Sequence, residues 1–417
     1  MIPRPDLLDP LSPSGLEVFQ LTDEKDVASS HIYMEAQIFT PDSRRFLLHR
    51  SAHAHGSDKS DPEHRYLLCD LDDGAKLRPV TDELGATAPS ISPDGEFFYY
   101  FRDETETGGG RLTLKRRRID GTRPETILVM DAPLPGSGFC PSQIYPLSTI
   151  SSDGKRLALS CFLGNGESAG APWGLLVFDI EAATVNLILT GVSWCNVHPQ
   201  FSRSLDPRQC RDILVQENHG NVCLADGTIT HLVGGVGADI HVIRDDGMQF
   251  RDLPWGRDGN EACQGHQCWR GRTDWAITST ITRDVGECQL IESRPVPPQD
   301  HDGLKTAGGV RNHLAREFKN PQFYHFATDI AGRRFISDCG PSGRDGAIYY
   351  AEFGEPGVDP FRKLTRLFCP RCSWQKGSHV HPFLSPDGKT GFFNSDESGI
   401  LQAYMIRGLE SVARGRG

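Results

Sequence analysis

Ile91-Ser92-Pro93-Asp94-Gly95-Glu96-Phe97-Phe98-Tyr99-Tyr100 reads as the end of an apolar strand, a tight Ser-Pro-Asp-Gly turn and a second strand. The same pattern stands at Phe39-Thr40-Pro41-Asp42-Ser43-Arg44-Arg45-Phe46, at Ile150-Ser151-Ser152-Asp153-Gly154-Lys155-Arg156-Leu157 and at Leu384-Ser385-Pro386-Asp387-Gly388-Lys389. Weaker copies pass through Phe201-Ser202 with Asp206-Pro207, run from Trp269 to Ile277, and run from Ala327 through Gly332-Arg333-Arg334-Phe335-Ile336, which makes seven. Several units continue into later strands, as at Tyr66-Leu67-Leu68-Cys69-Asp70 and Leu175-Leu176-Val177-Phe178-Asp179. A spacing of roughly 50 to 70 residues suits four-stranded blades carrying long loops. The expectation is an all-β, seven-bladed β-propeller with four-stranded blades and long inter-strand loops. It would be a single domain over residues 1–417, with blades beginning near residues 31, 84, 143, 194, 262, 320 and 376.

Composition agrees with one repetitive fold. A chain of 417 residues exceeds an ordinary single core, yet its 44 glycines and 28 prolines are spread along the whole length with no linker tract. The net charge of −11 argues against general nucleic-acid binding and leaves room for a small anion in a locally basic pocket. No apolar run approaches the roughly 20 residues that cross a bilayer, so no membrane partner is expected. The opening Met1-Ile2-Pro3-Arg4-Pro5-Asp6 lacks the apolar core of a signal peptide, and the 12 cysteines then suit a reducing, cytoplasmic setting as small buried side chains. Cys369-Pro370-Arg371-Cys372 is half of a zinc-ribbon spacing, with no second C-x-x-C to complete it. Lys115-Arg116-Arg117-Arg118 reads as a charged strand edge, and Gly308 to Lys319 as a short helix. The sequence carries no signal for an oligomeric state.

Counting back from the turns aligns four histidines. His381 lies four residues before Ser385 and His198 four before Ser202; His325 precedes Gly332 by seven, as His381 precedes Gly388; His266 precedes Trp269 by three, as His198 precedes Phe201. Blades one to three carry Ala36, Ala88 and Leu147 at that place. The first strand of a propeller blade is innermost, so the four imidazoles of blades four to seven should meet in the central channel. His379 shares a strand face with His381 through the two-residue period, and Gln375 is near enough to add an oxygen ligand. His219 follows the second strand of blade four and could join from a loop, whereas His53 and His55 fall in a polar loop expected to face solvent.

Neutral imidazoles with an amide oxygen suit Mn, Fe, Ni or Zn, while Ca and Mg prefer oxygen sets. Such a site with an open position acts as a Lewis acid on a carboxylate or carbonyl, and an unligated histidine beside it can serve as a base. Proton abstraction α to a carboxylate and hydrolysis by a metal-bound water both follow from these parts. A non-catalytic propeller that binds partners has no reason to gather histidines on one side of its channel. Trp194, Trp255, Trp269 and Trp374 offer aromatic platforms for a sugar, or side chains for the blade core.

Asn320-Pro321-Gln322-Phe323-Tyr324-His325, Gly265-His266-Gln267-Cys268-Trp269, His198-Pro199-Gln200-Phe201-Ser202 and His379-Val380-His381-Pro382 resemble the oligogalacturonate lyases, seven-bladed propeller enzymes of pectin breakdown. The resemblance covers most of the chain and is best from about residue 196 to 406. It implies a manganese ion held by His325, His379, His381 and Gln375, with His266 as the base that starts β-elimination on an acidic oligosaccharide, leaving a 4,5-unsaturated uronate end. His198, His219 and Trp269 would line the substrate path, and Lys376 would face a second carboxylate. Two departures stand out. The family's glutamine sits three residues before the first histidine of the pair, where this chain has Lys376. Its arginine has Asp239 in its place, leaving Arg244, Arg251 or Arg257 to compensate, or a substrate other than oligogalacturonate. Another metal-dependent enzyme on the same propeller, a hydrolase or an epimerase, and a non-catalytic binding propeller are the alternatives.

Overall fold

A computed structural model of the chain describes all residues except 107, 165–172, 192–196, 219–221, 224–228, 232–237, 256–259, 297–310, 317–321, 341–345, 376 and 415–417. Seven antiparallel sheets follow one another around a ring. Blade one is built of Ser29–His31, Arg45–Arg50, Tyr66–Asp70 and Lys76–Pro79, and blade two of Ala86–Ile91, Phe97–Glu106, Gly109–Arg118 and Glu125–Met130. Blade three begins at Cys140–Ile150, blade four at Gln200–Phe201, blade five at Glu261–Trp269 and blade six at Phe326–Thr328. In blade seven the strands Phe383–Leu384, Gly391–Ser395 and Gln402–Arg407 are completed by Glu17–Gln20 from the other end of the chain, with Ile2–Pro3 beyond it. The turn count does not reveal this closure, because the N-terminal strands precede the first turn.

The turn motif explains itself in hydrogen bonds. In blade two the Ser92 hydroxyl meets Asp94 at 2.5 Å, accepts from Phe97 N at 3.0 Å, and Gly95 N donates to Ser92 O at 2.8 Å. Ser151 with Asp153 and Ser385 with Asp387 repeat the pair at 2.6 Å. Gly95 is left-handed (φ 74°), and a Cβ there would come within 2.7 Å of Pro41 in the neighbouring turn. The turns are therefore packed against one another around the channel.

The core lies between blades. Leu157 and Leu159 join the cluster shared with blade two, whereas Ala158 joins the one shared with blade four. Leu214 and Ile213 divide in the same way between blades five and three, and Phe335 and Ile336 between blades five and seven. Strand alternation thus serves two seams at once, which is why the second strands of the blades, such as Arg156–Gly164, read as nearly continuous apolar runs. At about 1.5–3 kcal/mol for each large apolar side chain buried, these seams outweigh any exposed ion pair. The seam of blades five and six also holds the fully buried Arg270, paired with Glu292 at 2.6 Å, bonded to Gly332 O at 3.1 Å and lying over Phe353.

Two expectations are corrected. Residues 311–313 form the outer strand of blade five, not a helix, because His313 pairs opposite Ile291 and Arg311 bonds Glu261 at 2.6 Å. The run Lys115-Arg118 is not an edge: its strand is paired on both sides, and Lys115 and Arg117 each reach Glu83 at 2.6 Å. Cys369 and Cys372 are free thiols, and burial pushes Cys372 up to about 12, far from a metal-binding thiolate. Among the described residues no helix is long and apolar enough to cross a membrane.

The ring is clasped at its closure. Arg4 grips both oxygens of Glu397, with the second bond at 2.8 Å, and Tyr404 donates to the same carboxylate at 2.5 Å. Burial raises the Glu397 carboxyl, but the Arg4 and Tyr404 hydrogen bonds more than offset it, leaving it below its ordinary 4.5. A depressed carboxylate contributes stability that is present above its unfolded value and lost as pH falls through the folded one. Arg4→Ala is therefore expected to cost about 1–2 kcal/mol at neutral pH. In urea titrations the gap from wild type should narrow below pH 4.5; a gap independent of pH would show that the clasp acts without its charge.

Candidate metal centre and base at one mouth of the channel

The inner strands are not regular at the histidine positions. His198, His381 and Ala88 share a left-handed backbone, with φ of 42°, 43° and 50°, and Gly265 beside His266 has φ 87°. In blade five the pairing register shifts between Cys263 and Gln267, and in blade two between the residues facing Tyr99 and Phe101. Each is a bulge that bends the strand and re-aims a side chain. A non-glycine residue pays for this conformation, so the surrounding ladder must hold it: Val197 O accepts from Gln216 N at 2.9 Å and Val380 O from Asn394 N at 2.8 Å. Positive φ at His198 and His381 is the backbone counterpart of their shared place in the repeat.

Five imidazoles meet. His325 is the hub, with ring centroids 4.2 Å from His381, 4.7 Å from His266 and 5.5 Å from His379. His379 and His381 lie 5.3 Å apart, and His55 packs edge-on to His379 at 4.9 Å. The polar loop of blade one is a small hairpin, Ala52–His53 paired with Gly56–Ser57, whose tip carries His55 over the channel. His55 is exposed, as expected of that loop, yet it also joins the cluster. The donor atoms of His55, His379 and His381 all lie within 4.8 Å of one another. Nitrogens about 2.0–2.1 Å from one ion are at most about 4 Å apart, so a small side-chain adjustment would bring the three together.

Electrostatics favour neutral rings. Burial holds His266, His325 and His381 well below the usual imidazole value, helped by the neighbouring imidazoles, and burial lowers His379. Burial together with His379 and His53 pushes His55 down to about 4. Nδ1 of His266, Nδ1 of His379 and Nε2 of His381 are buried without a hydrogen-bond partner among the described residues. Buried lone pairs left idle cost roughly 1–3 kcal/mol each, and a cation would satisfy them. His325 Nδ1 donates to Asp338 at 2.9 Å, which fixes its tautomer and leaves Nε2 for a ligand. Burial raises Asp338 to about 7 against the N–H groups of His325 and Gly340, and a positive charge beyond the ring would keep it ionised. The donor set therefore fits a divalent transition ion.

The remaining predicted residues scatter. His198 sits apart, its Nδ1 donating to Glu35 at 3.1 Å and its Nε2 accepting from Tyr145 at 3.0 Å; Tyr33 bridges it to His381. Gln375 is exposed on the loop before His379. Trp269 is 3% exposed and its indole N–H donates to Gln200 O at 2.9 Å, so it belongs to the blade core instead of a sugar platform. Trp255 is likewise core, whereas Trp374 lies parallel to the His325 ring at 5.9 Å and Tyr324 meets His266 at 4.8 Å. Arg244 pairs opposite Asp212, at the end of its strand away from the histidines, and Arg251 is bonded to Asp212. His219, Lys376, Trp194 and Arg257 lie outside the described residues. Sequence reasoning missed Asp338, Glu35, Tyr145 and the role of His55; only His55 had a signal, as a second His-x-His.

No protein-family model matches the sequence, and no curated protein matches it significantly. Solved structures do. An oligogalacturonate lyase from Vibrio parahaemolyticus is 16% identical with TM-score 0.67, covering 94% of both chains. An oligogalacturonate lyase in complex with manganese is 18% identical with TM-score 0.70, covering 99% of this chain and 98% of that one. The fold is also shared with a prolyl endopeptidase, at 11% identity and TM-score 0.50, where the match covers half of the other chain. At such identities the likeness establishes the seven-bladed propeller.

His55 and His325 both approach the His379–His381 pair, and His55 is the one whose donor atom lies within 4.8 Å of both. Bound manganese, measured by elemental analysis, should fall at least tenfold in His379→Ala and His381→Ala. Comparing His55→Ala with His325→Ala then assigns the third place to whichever variant loses metal, and full retention in all four variants would remove the ion from this cluster.

Proposed function

We propose that the chain is a metal-dependent lyase that cleaves uronate-containing oligosaccharides by β-elimination. The observation that carries this reading is the position of His266, an imidazole kept neutral by burial, next to His325 and near His379 and His381, whose buried Nδ1 and Nε2 have no hydrogen-bond partner among the described residues. Likeness in fold to two oligogalacturonate lyases, one of them in complex with manganese, supports it.

Mn2+ or a similar ion would be held by His379, His381 and either His325 or His55, and would supply a Lewis acid for the substrate carboxylate. His266 takes the proton from C5, the α-carbon of the uronate. The electron pair left at C5 becomes the C4–C5 double bond as the bond from C4 to the glycosidic oxygen breaks, and the leaving oxygen gains a proton. Asp338 keeps His325 in one tautomer and orientation, so that charge developing in the transition state meets a preorganised site. Trp374 and Tyr324 wall the His325–His266 side, and His198, anchored by Glu35 and Tyr145, borders the substrate path.

Glu217 and Asp239 pair opposite each other at the histidine end of blade four, where the family's arginine is expected, and Glu217 lies 3.6 Å from His241. Metal-loaded protein given a panel of oligouronides should raise the ultraviolet absorbance of the conjugated unsaturated uronate, and a chelator should stop it. His266→Ala should lower the rate at least a hundredfold while keeping its metal. Absence of absorbance with every uronide, despite bound metal, would point to a hydrolase or epimerase using the same histidines.

A further inference from the structure

The opposite mouth of the channel contains a cavity of about 330 Å³, with walls drawn from the inner turns of all seven blades. It lies toward the turn end of the channel, with Leu384 and Pro386 lining it three and five residues after His381, and on blade one it extends to Met34 and Ala36. Its volume is at the small end of small-molecule sites. Most of its wall is apolar, with Met34, Ile38, Phe39, Ile91, Ile150 and Phe383 among the lining residues. The hydroxyls of Ser92 and Ser151 are occupied in closing their own turns.

Two cations face this apolar space. Arg203 lines the cavity and is half-buried, and it makes no side-chain hydrogen bond or ion pair among the described residues. Glu35 and Asp329 act on it from a distance: Glu35 Oε2 accepts from His198 at 3.1 Å while its Oε1 has no hydrogen-bond partner among the described residues, and Asp329 accepts from the backbone of Arg333 at 2.7 Å and Arg334 at 2.9 Å. Burial lowers the Arg203 guanidinium from its ordinary value, against the opposing pull of Cys268, Glu35 and Asp329. Arg272 stands exposed among the lining residues. A guanidinium held in an apolar cavity without a partner is costly unless an anion completes it, and its planar fork matches a carboxylate.

We propose that this second mouth is a binding site for a small amphipathic monocarboxylate, its carboxylate on Arg203 and its hydrocarbon body against the apolar inner-strand side chains. Bare inorganic anions would leave the apolar wall unused, and neutral ligands would leave Arg203 unpaired. None of its lining residues belongs to the histidine cluster.

Calorimetric titration of the full chain with hexanoate, hexanamide and sulfate tests it. Hexanoate should bind saturably, at least tenfold tighter than either hexanamide or sulfate. Arg203→Gln should weaken hexanoate at least tenfold, with Arg203→Lys in between, while circular dichroism melts confirm folding. Should the Arg203 variants not fold, Leu205→Asp, at a rim position 63% exposed, adds a negative charge and should weaken hexanoate several-fold. Three results overturn the proposal: no saturable hexanoate binding, equal affinity for hexanamide or sulfate, or affinity unchanged in the folded variants.

Discussion

The histidine site depends on left-handed residues in the innermost segments of the blades. A regular strand at the channel would send alternate side chains into the two flanking seams and leave few to face the axis. A left-handed residue at His198 and His381, and Gly265 before His266, breaks that alternation and turns imidazoles inward. The strain is of order 1–3 kcal/mol for each non-glycine residue, and the seams on either side are large enough to hold it. Blade six needs no such device: His325 is held by its own ladder and by Asp338, which bonds both its ring and its backbone N–H.

Ring closure then sets what the two ends of the channel can be. The histidine end is polar, with buried imidazole nitrogens that have no hydrogen-bond partner among the described residues, and it is overlooked by a hairpin from blade one that brings His55 from far away in sequence. The turn end is apolar and lined by Arg203, which has no side-chain partner among the described residues. Between them the Tyr145–His198–Glu35 chain of hydrogen bonds occupies the wall. One scaffold therefore gathers histidines at one mouth and apolar side chains with Arg203 at the other, on a molecule of net charge −11.

The repeat and the histidine register were readable because a turn closed by Ser, Asp and Gly makes a fixed ruler, and counting back from it is independent of loop length. What a ruler along one chain cannot show is pairing between distant segments. Glu17–Gln20 completes blade seven, and residues 311–313 become a strand because Glu287–Ser293 offers them a ladder. Arg244 looked close to the site in sequence, yet its register opposite Asp212 carries it to the other end of the blade. Trp269 has the side chain of a sugar platform, but its indole N–H is committed to Gln200. Asp338 and Glu35 gave no signal, since a buried acid that orients a histidine looks in sequence like any other acid.

The central claim is that the imidazoles at one mouth form a single transition-metal site. Crystals grown with Mn2+ and measured at its absorption edge test it most directly. The account predicts one strong anomalous peak between the His379 and His381 rings, within reach of His325 or His55 and with His266 left unligated. A peak elsewhere in the molecule, or no peak at saturating Mn2+, would contradict it.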